Sequence, residues 1–280
     1  MGAASTAAQR QGAIDVAGIL ARVGEQVEQY FARAESVVCT ETVRLAPLRY
    51  DLTFDTNTHQ RQLVYEARVG WDAPIDADAP PDFKVLRETI SVDGRKPREK
   101  DENSCLDPTP ISPEPLTMLL PGRQQKYQFT FGGLGKMDDR PAVMLDYRSR
   151  ETGKVAVTQL EGRPKHCFSV DTPGHSRGRI WIDQATGEVL RLDERLTGMV
   201  DFDVPPENPR RGVSTAMTLE RADSSTRYKR VRFSDPDETL LLPASVESVT
   251  VIRNSGVPRL RTTQMFTNYR RFVTGGRIVQ

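Results

Sequence analysis

The chain has 280 residues, of which 37% are hydrophobic and 28% are charged. This composition is ordinary for a globular protein, and the length suits one large β domain or two small domains, of which we expect one large domain. The 39 basic and 38 acidic residues nearly cancel, so no overall positive field recruits nucleic acid or an anionic membrane. The sequence contains no run of about 18 apolar residues, so it predicts no transmembrane helix.

Residues 1–13 are small and polar, and we expect a disordered tail there. They hold no basic region followed by an apolar region, so they contain no secretory signal peptide. The alanine-rich run ending at Gln9 nevertheless resembles the surroundings of a signal cleavage site. We therefore expect a periplasmic or otherwise extracytoplasmic protein whose signal peptide has been removed, with an ordinary cytosolic tail as the alternative.

Ile14–Glu35 is predicted to be the long helix of the chain. Asp15 is placed to cap its first turn. Apolar residues then recur at three- and four-residue spacing, which predicts a buried stripe on one side of the helix. The stripe consists of Val16, Ile19, Leu20, Val23, Val27, Tyr30 and Phe31.

After residue 36 the hydrophobic period changes from 3.6 toward two, which indicates strands. No alternation of strands with helices follows, so we expect antiparallel pairing rather than a parallel nucleotide-binding sheet. The predicted strands are Val37–Leu45, Arg61–Val69, Phe83–Val92, Tyr127–Phe131, Val143–Tyr147, Val155–Glu161, Lys165–Val170, Arg179–Asp183, Val189–Thr197, Ala216–Ala222, Tyr228–Phe233, Ala244–Ile252 and Leu260–Phe272. One long curved antiparallel sheet wrapped around the N-terminal helix is the predicted architecture, a mainly β (α+β) fold.

The segment Arg177–Glu194 is the most informative of these. Ile180 and Ile182 alternate with polar or charged residues, a turn carrying Gly187 follows, and Leu190 and Leu192 continue the alternation. This pattern predicts a β-hairpin with one apolar face.

Two loops interrupt the strands. Asp72–Asp82 is acidic and proline-rich, which predicts a surface loop; it lacks the glycine and the terminal glutamate of an EF-hand calcium loop. The proline-rich segment 96–121 ends in the short apolar run Leu116–Leu120. This run is expected to form a helical turn at the edge of the sheet, either as a small packed plug or as a lid over a cavity.

Catalytic motifs are weak in this chain. His166 and Cys167 are adjacent, so in a strand they point to opposite faces and do not cooperate. Gly132–Lys136 lacks the residues that complete a phosphate-binding loop, and a flexible hairpin turn is the expected structure. We expect no catalytic residue, no metal and no cofactor.

The cysteines Cys39, Cys105 and Cys167 have no Cys-x-x-Cys spacing, which argues against zinc. Three reduced thiols would suit the cytosol, and one disulfide with one free thiol would suit export. Cys105 and Cys167 lie in or beside irregular segments, and they are the pair that we expect to form a disulfide. Cys39 lies within an apolar strand, where a buried free thiol is expected.

The order of N-terminal helix, antiparallel meander, hairpin (GRIWIDxxTGEVLR, from Gly178) and late strand (LLLPASVE, from Leu240) resembles the periplasmic lipoprotein-carrier superfamily. The resemblance covers residues 14–280, as a single domain, and rests on structural motifs of low specificity. It implies an unclosed half-barrel around a helix that binds acyl chains in a hydrophobic cavity.

The resemblance therefore implies a non-enzymatic exported protein that carries or senses a lipid, an acyl chain or another hydrophobic ligand. Its partners would be a hydrophobic small molecule or a lipidated protein, with transient membrane-surface contact left open and no nucleic acid. A structural or protein-interaction module with a packed core is the main alternative, and an unfamiliar hydrolase is a weaker one. The residues expected to face the cavity or the core are Leu20, Val23, Val27, Phe31, Ile180, Ile182, Leu190 and Leu192.

Overall fold

A computed structural model describes residues 14–34, 37–72, 82–99, 101, 105, 114–160, 163–164, 167–204 and 215–271. Three helical segments are described: α1 (Val16–Ala34), a short 3₁₀ helix (Glu114–Leu119) and α2 (Pro121–Gln124). The strands are β1 (Val37–Pro47), β2 (Arg61–Asp72), β3 (Asp82–Val92), β4 (Tyr127–Met137), β5 (Arg140–Ser149), β6 (Ala156–Gln159), β7 (Phe168–Asp171), β8 (Ser176–Asp183), β9 (Val189–Leu196), β10 (Val200–Asp203), β11 (Ala216–Ser234), β12 (Asp237–Arg253) and β13 (Arg259–Arg271). The predicted tail 1–13 and most of the predicted acidic loop lie outside these ranges.

The main sheet is antiparallel and open, with β3 and β4 at its two ends. Its strand order is β3-β2-β1-β13-β12-β11-β9-β8-β5-β4, and β10 pairs with β11 beside this path. Consecutive strands are mostly neighbours, as expected of a meander. The long connection runs from β3 to β4, which follow each other in the chain but lie at opposite ends of the sheet. The C-terminal strand β13 pairs with β1, from Val37–Arg271 to Pro47–Leu260. The predicted half-barrel of mainly antiparallel strands is confirmed.

Helix α1 covers one end of this sheet because its apolar stripe needs burial. Asp15 caps the helix by accepting a hydrogen bond from the Gly18 N–H at 2.9 Å. The stripe residues Val23, Val27 and Phe31 are buried against the sheet. The principal core cluster consists of Ile19, Val23, Val27, Phe31, Leu116, Met118, Leu119, Val143, Leu145, Tyr147, Ile180, Ile182, Val189, Leu192 and Tyr228.

We call the face of the sheet that packs on α1 the inner face, and the opposite face the outer face. Alternation assigns each strand residue to one of them. On β8, Ile180 and Ile182 face inward; on β5, Leu145 and Tyr147 do so. The pairing register carries this assignment from strand to strand across the sheet.

The short 3₁₀ helix Glu114–Leu119, which we call the plug, fills the space between α1 and the sheet. Leu116, Met118 and Leu119 belong to the principal core cluster. The Gln124 side-chain amide ties the plug to α1, since Nε2 donates to the Leu119 carbonyl at 2.7 Å and to the Leu20 carbonyl at 2.9 Å. The helical turn expected near Leu116–Leu120 is therefore present as a packed element.

Two tight turns are formed by residues with positive φ. Asp93 and Gly94 both have positive φ, as do Asp138 and Asp139, which is the requirement of a type I′ hairpin turn. The expectation of a turn at Gly132–Lys136 was wrong. These residues lie within β4 and pair with β5, and a bulge between Phe131 and Gly133 accommodates the positive φ of Gly133.

Two further expectations about strands are corrected. The predicted strands Ala216–Ala222 and Tyr228–Phe233 are parts of one 19-residue strand, β11. The short strands β6 and β7 pair with each other in a separate two-stranded sheet instead of joining the main one. This small sheet leads into the wall of the cleft described next.

Candidate functional site

A cleft of about 500 Å³ opens on the inner face beside the plug. The plug contributes one wall through Pro115, Thr117 and Met118, and the chain leaving β7 contributes another through residues 171–174. Strands β8, β9 and β11 form its floor. The floor residues are Ser176, Leu192, Glu194, Leu196, Ala222, Ser224 and Thr226, and the rim includes Arg123, Tyr127 and Ser149.

The floor of this cleft is mixed rather than purely apolar. Leu192 and Leu196 supply carbon surface, whereas Glu194 lies between them and Ser224 lies opposite Glu194 on β11. The same register continues to Ser248 on β12 and to Thr262 on β13. A band of hydroxyl and carboxyl groups therefore runs across the inner face, away from the helix-covered core.

Glu194 is the chemically distinctive residue of the cleft. Its Oε2 accepts a hydrogen bond from the Tyr147 hydroxyl at 2.9 Å, and Ser176 also hydrogen-bonds its carboxyl group. Burial outweighs these two hydrogen bonds and raises the pKa of Glu194 above its ordinary value. Burial together with the neighbouring Glu194 carboxyl likewise raises the pKa of Tyr147.

These two groups give the cleft a defined hydrogen-bonding character. The Glu194 carboxyl group accepts hydrogen bonds and also donates one when it is protonated, and a phenol both donates and accepts. The cleft can thus hydrogen-bond a polar ligand group. Glu194 faces inward because Leu192, Glu194 and Leu196 alternate along β9.

Gly178 makes room for this arrangement on β8. A Cβ atom there would lie 1.9 Å from the Asp193 carbonyl oxygen and 2.7 Å from the Tyr147 ring. Contacts this short are incompatible with any side chain. Glycine at this position lets the Tyr147 ring lie flat against β8, where its hydroxyl reaches Glu194.

The eight residues predicted to face the cavity or the core lie mainly under α1. Val23, Val27, Phe31, Ile180, Ile182 and Leu192 belong to the principal core cluster, and Leu20 packs partly buried against it. Leu190 is buried but lies outside that cluster. A bulge in the β8–β9 pairing causes this, because Val189 takes the position opposite Ile182.

Of these eight residues, Leu192 lines the cleft in the described structure. A ligand-binding role therefore stays a prediction for Leu192. For the other seven residues, packing in the core is enough to explain why they are apolar. Sequence reasoning missed Glu194, Tyr147, Ser176 and Ser224. The signal for Glu194 was available, since extending the alternation beyond Leu192 places it on the inner face.

A disulfide joins Cys105 to the residue that precedes β7. Cys105 and Cys167 are joined, which is the pairing chosen from the sequence, and they lie 62 residues apart. Cys167 immediately precedes β7, whose continuation forms a wall of the cleft. Cys39 is a buried free thiol, and burial raises its pKa to about 12.

Other kinds of site find no support in the described residues. No group of three or more potential ligands among their His, Cys, Asp and Glu side chains is placed to hold a metal ion. His175 makes a long 3.4 Å contact from Nε2 to the Gly153 carbonyl, and His166 lies outside the described ranges. None of the described helices is long and apolar enough to cross a membrane.

Comparison with known proteins adds distant structural similarity. No family model matches the sequence, and no curated protein matches it. The chain is similar to the crystal structure of a LolA superfamily protein from Nitrosomonas europaea, with 9% identity, a TM-score of 0.35, and coverage of 93% of this chain and 94% of that one. It is also similar to a DUF1329 family protein from Desulfovibrio piger, with 12% identity, a TM-score of 0.39, and coverage of 92% and 94%.

These matches agree with the distant resemblance noted in the sequence. At such identities and TM-scores they carry no argument about a ligand or a partner.

Proposed function

We propose that this protein is a non-enzymatic binding protein that holds an amphipathic ligand in the cleft beside the plug. The ligand would combine an acyl chain or a similar apolar part with a polar group that hydrogen-bonds. It would be a free lipid or the lipid part of a lipidated protein. The observation that carries the proposal is the half-buried Glu194 in the floor of a 500 Å³ cleft, with Leu192 and Leu196 on either side.

The size and the lining of the cleft support this assignment. Ligand sites are concave, typically about 300–1,000 Å³, and combine carbon surface with a few polar groups that fix orientation. Met118, Leu192 and Leu196 supply the carbon surface here, and Glu194 and Ser176 supply polar groups. An apolar chain alone would leave these polar groups without hydrogen-bonding partners in the ligand, which favours an amphipathic ligand over a hydrocarbon.

An extracytoplasmic location is part of the proposal. The Cys105–Cys167 disulfide supports it, because disulfides persist in oxidising compartments and are rare in the cytosol. The protein should therefore be produced by export to the bacterial periplasm before its ligand content is tested.

The test is native mass spectrometry of protein purified from such a host, with its organic extract analysed alongside. We expect an adduct of lipid mass that is released on unfolding and appears in the extract. A ligand-free protein that stays ligand-free after incubation with fatty acids and phospholipids would contradict the proposal.

One observation favours a protein-interaction module as the second candidate. Strand β3 ends the main sheet in the described part of the chain, and two of its apolar side chains are exposed, Leu86 by 64% and Ile90 by 50%. An end strand with exposed apolar residues can add a strand from another chain. Concentration-dependent association that is lost in a Leu86→Lys/Ile90→Lys variant would support this candidate.

A further inference from the structure

A row of three arginines crosses the outer face of the sheet at the level of Tyr147. Arg148 on β5 lies opposite Arg177 on β8, and Arg177 lies opposite Arg195 on β9. All three side chains are exposed. We call Arg148, Arg177 and Arg195 the arginine row.

Like charges in directly opposed positions of an antiparallel sheet repel each other. Nearby carboxylates would neutralise this repulsion, but none lies within ion-pair distance of the row in the part of the chain that the structure describes. Among the described residues, the row makes one polar side-chain contact, from Arg148 Nε to the Gln128 side-chain oxygen at 2.8 Å. The arrangement is thus unfavourable for the protein alone.

The next row on the same strands shows that this fold can place alternating charges. Two residues along, Asp146 lies opposite Arg179, and Arg179 lies opposite Asp193. Arg179 binds Asp146 with both ends of its guanidinium group, at 2.6 and 2.9 Å. The neighbouring row therefore alternates acidic and basic residues, whereas the arginine row contains three basic residues in succession.

The row also borders a depression in the surface. A groove of about 460 Å³ is lined by Gln128, Thr130, Asp146, Arg148, Arg177, Arg179 and Arg195, with the strand backbone at Gly178. Four arginines against one aspartate give this groove a formal charge of +3, although the whole chain carries only +1. The charge is local, so it concentrates an anion at this place rather than over the protein.

We propose that this groove binds a phosphorylated anion that presents two or more phosphate groups. Neighbouring strands lie about 4.8 Å apart, so the three guanidinium groups span about 10 Å. A guanidinium group pairs with phosphate oxygens through two parallel hydrogen bonds, and several of them together suit a multiply charged anion. The anion would supply the negative charge that Asp146 and Asp193 supply in the neighbouring row.

The groove and the cleft open on opposite faces of the sheet, and Arg195 is the residue that lines both. Arg177 lines the groove alone, so its substitution tests the phosphate site independently of the lipid-binding proposal. A soluble polyphosphate or phosphoester and a cluster of phospholipid headgroups present the same chemistry to the row. The experiment has to separate these two sources.

The probe for the soluble source is inorganic pyrophosphate, titrated calorimetrically into the full-length protein at low ionic strength. We expect saturable binding, weakened about tenfold in each of the variants Arg177→Gln and Arg195→Gln through the loss of a charge-assisted hydrogen bond. Arg232→Gln is the matched control, because it removes an exposed arginine of β11 outside the groove and should leave binding unchanged.

The second arm measures co-sedimentation with vesicles of phosphatidylcholine and phosphatidic acid in equal parts. Sedimentation that depends on Arg177 without pyrophosphate binding would support the site and identify headgroups as its source. Pyrophosphate binding without sedimentation would support a soluble ligand.

Thermal unfolding of the variants serves as the folding check. Arg177→Gln should unfold no earlier than the wild type, because it relieves repulsion from both neighbours. Absence of binding in both arms, or binding that Arg177→Gln and Arg195→Gln leave unchanged, would overturn the proposal.

Discussion

The buried ion pair between Glu41 and Arg87 gives the sharpest prediction about stability. Glu41 on β1 has no exposed side-chain surface, and the Arg87 side chain on β3 is 10% exposed. Two hydrogen bonds join them, from Arg87 Nε to Glu41 Oε2 at 2.7 Å and from Arg87 Nη2 to Glu41 Oε1 at 2.5 Å. Gln264 on β13 donates a third hydrogen bond to Glu41 Oε1 at 2.9 Å.

Replacement of Arg87 by Met would keep most of the side-chain volume and remove the charge. Glu41 would then be buried with Gln264 as its remaining hydrogen-bond donor among the contacts described above. Removing one partner of a buried pair costs about 3–5 kcal/mol, because the other charge is left uncompensated. We therefore expect Arg87→Met to lower the free energy of unfolding by that amount.

The measurement is urea unfolding at neutral pH with the disulfide intact. The matched control is Arg68→Met on β2, which breaks an exposed pair with Glu66 and should leave the free energy of unfolding almost unchanged. The triple variant Glu41→Leu/Arg87→Met/Gln264→Met should recover most of the loss, because it replaces the buried ion pair by apolar side chains and leaves no Gln264 donor without its acceptor. A loss below about 1 kcal/mol in Arg87→Met, or no recovery in the triple variant, would refute this reasoning.

Three further predictions concern the neighbourhood of the cleft. Gly178→Ala should destabilise the protein by about 3 kcal/mol or more in urea unfolding, because its Cβ would collide with the Asp193 carbonyl; a smaller loss would contradict the close approach. Because the pKa of Glu194 is raised in the folded protein, its contribution to stability is fully present below its unfolded value of 4.5 and is lost as the pH rises through the folded value. Glu194→Gln should therefore be more stable than the wild type in mildly alkaline urea titrations and lose that advantage below pH 4.5, and a pH-independent difference would contradict the burial argument. Reduction of the Cys105–Cys167 disulfide should cost about 2–5 kcal/mol, measured by urea unfolding with and without a thiol reductant, and an unchanged midpoint would count against a structural role.

The helix and the core could be predicted because their apolar residues follow one period. The stripe of α1 and the alternation of Ile180 with Ile182 each assign a face without knowledge of the partner. The hairpin at Arg177–Glu194, with its turn at Gly187, could be predicted from the same kind of alternation.

Strand β11 was divided in the prediction because its middle has no readable alternation. Asp223, Ser224 and Ser225 are all polar, although Ser224 faces the cleft and Ser225 faces outward. A strand that is polar on both faces carries no period-two signal. The mixed floor of the cleft was missed for the same reason.

For β4, the glycines led to the prediction of a turn where the structure has a strand. Gly132–Lys136 has the composition of a turn, but the turn is supplied by Asp138 and Asp139 a few residues later. A Cβ atom at Gly132 would lie only 3.1 Å from the Asp146 carboxyl group. Only the position of the neighbouring strand explains this glycine, and the local sequence does not contain that information.

Fluorescence titration with dansyl-labelled undecanoic acid tests the central claim, that the inner-face cleft binds an amphipathic ligand. The variant is Ser224→Leu, which fills the floor of the cleft, and the control is Ser225→Leu, the same substitution one residue later on the outer face. We predict saturable binding to the wild type and to Ser225→Leu, and binding at least about tenfold weaker in Ser224→Leu. Equal binding by the two variants, or no binding by the wild type, would contradict the account.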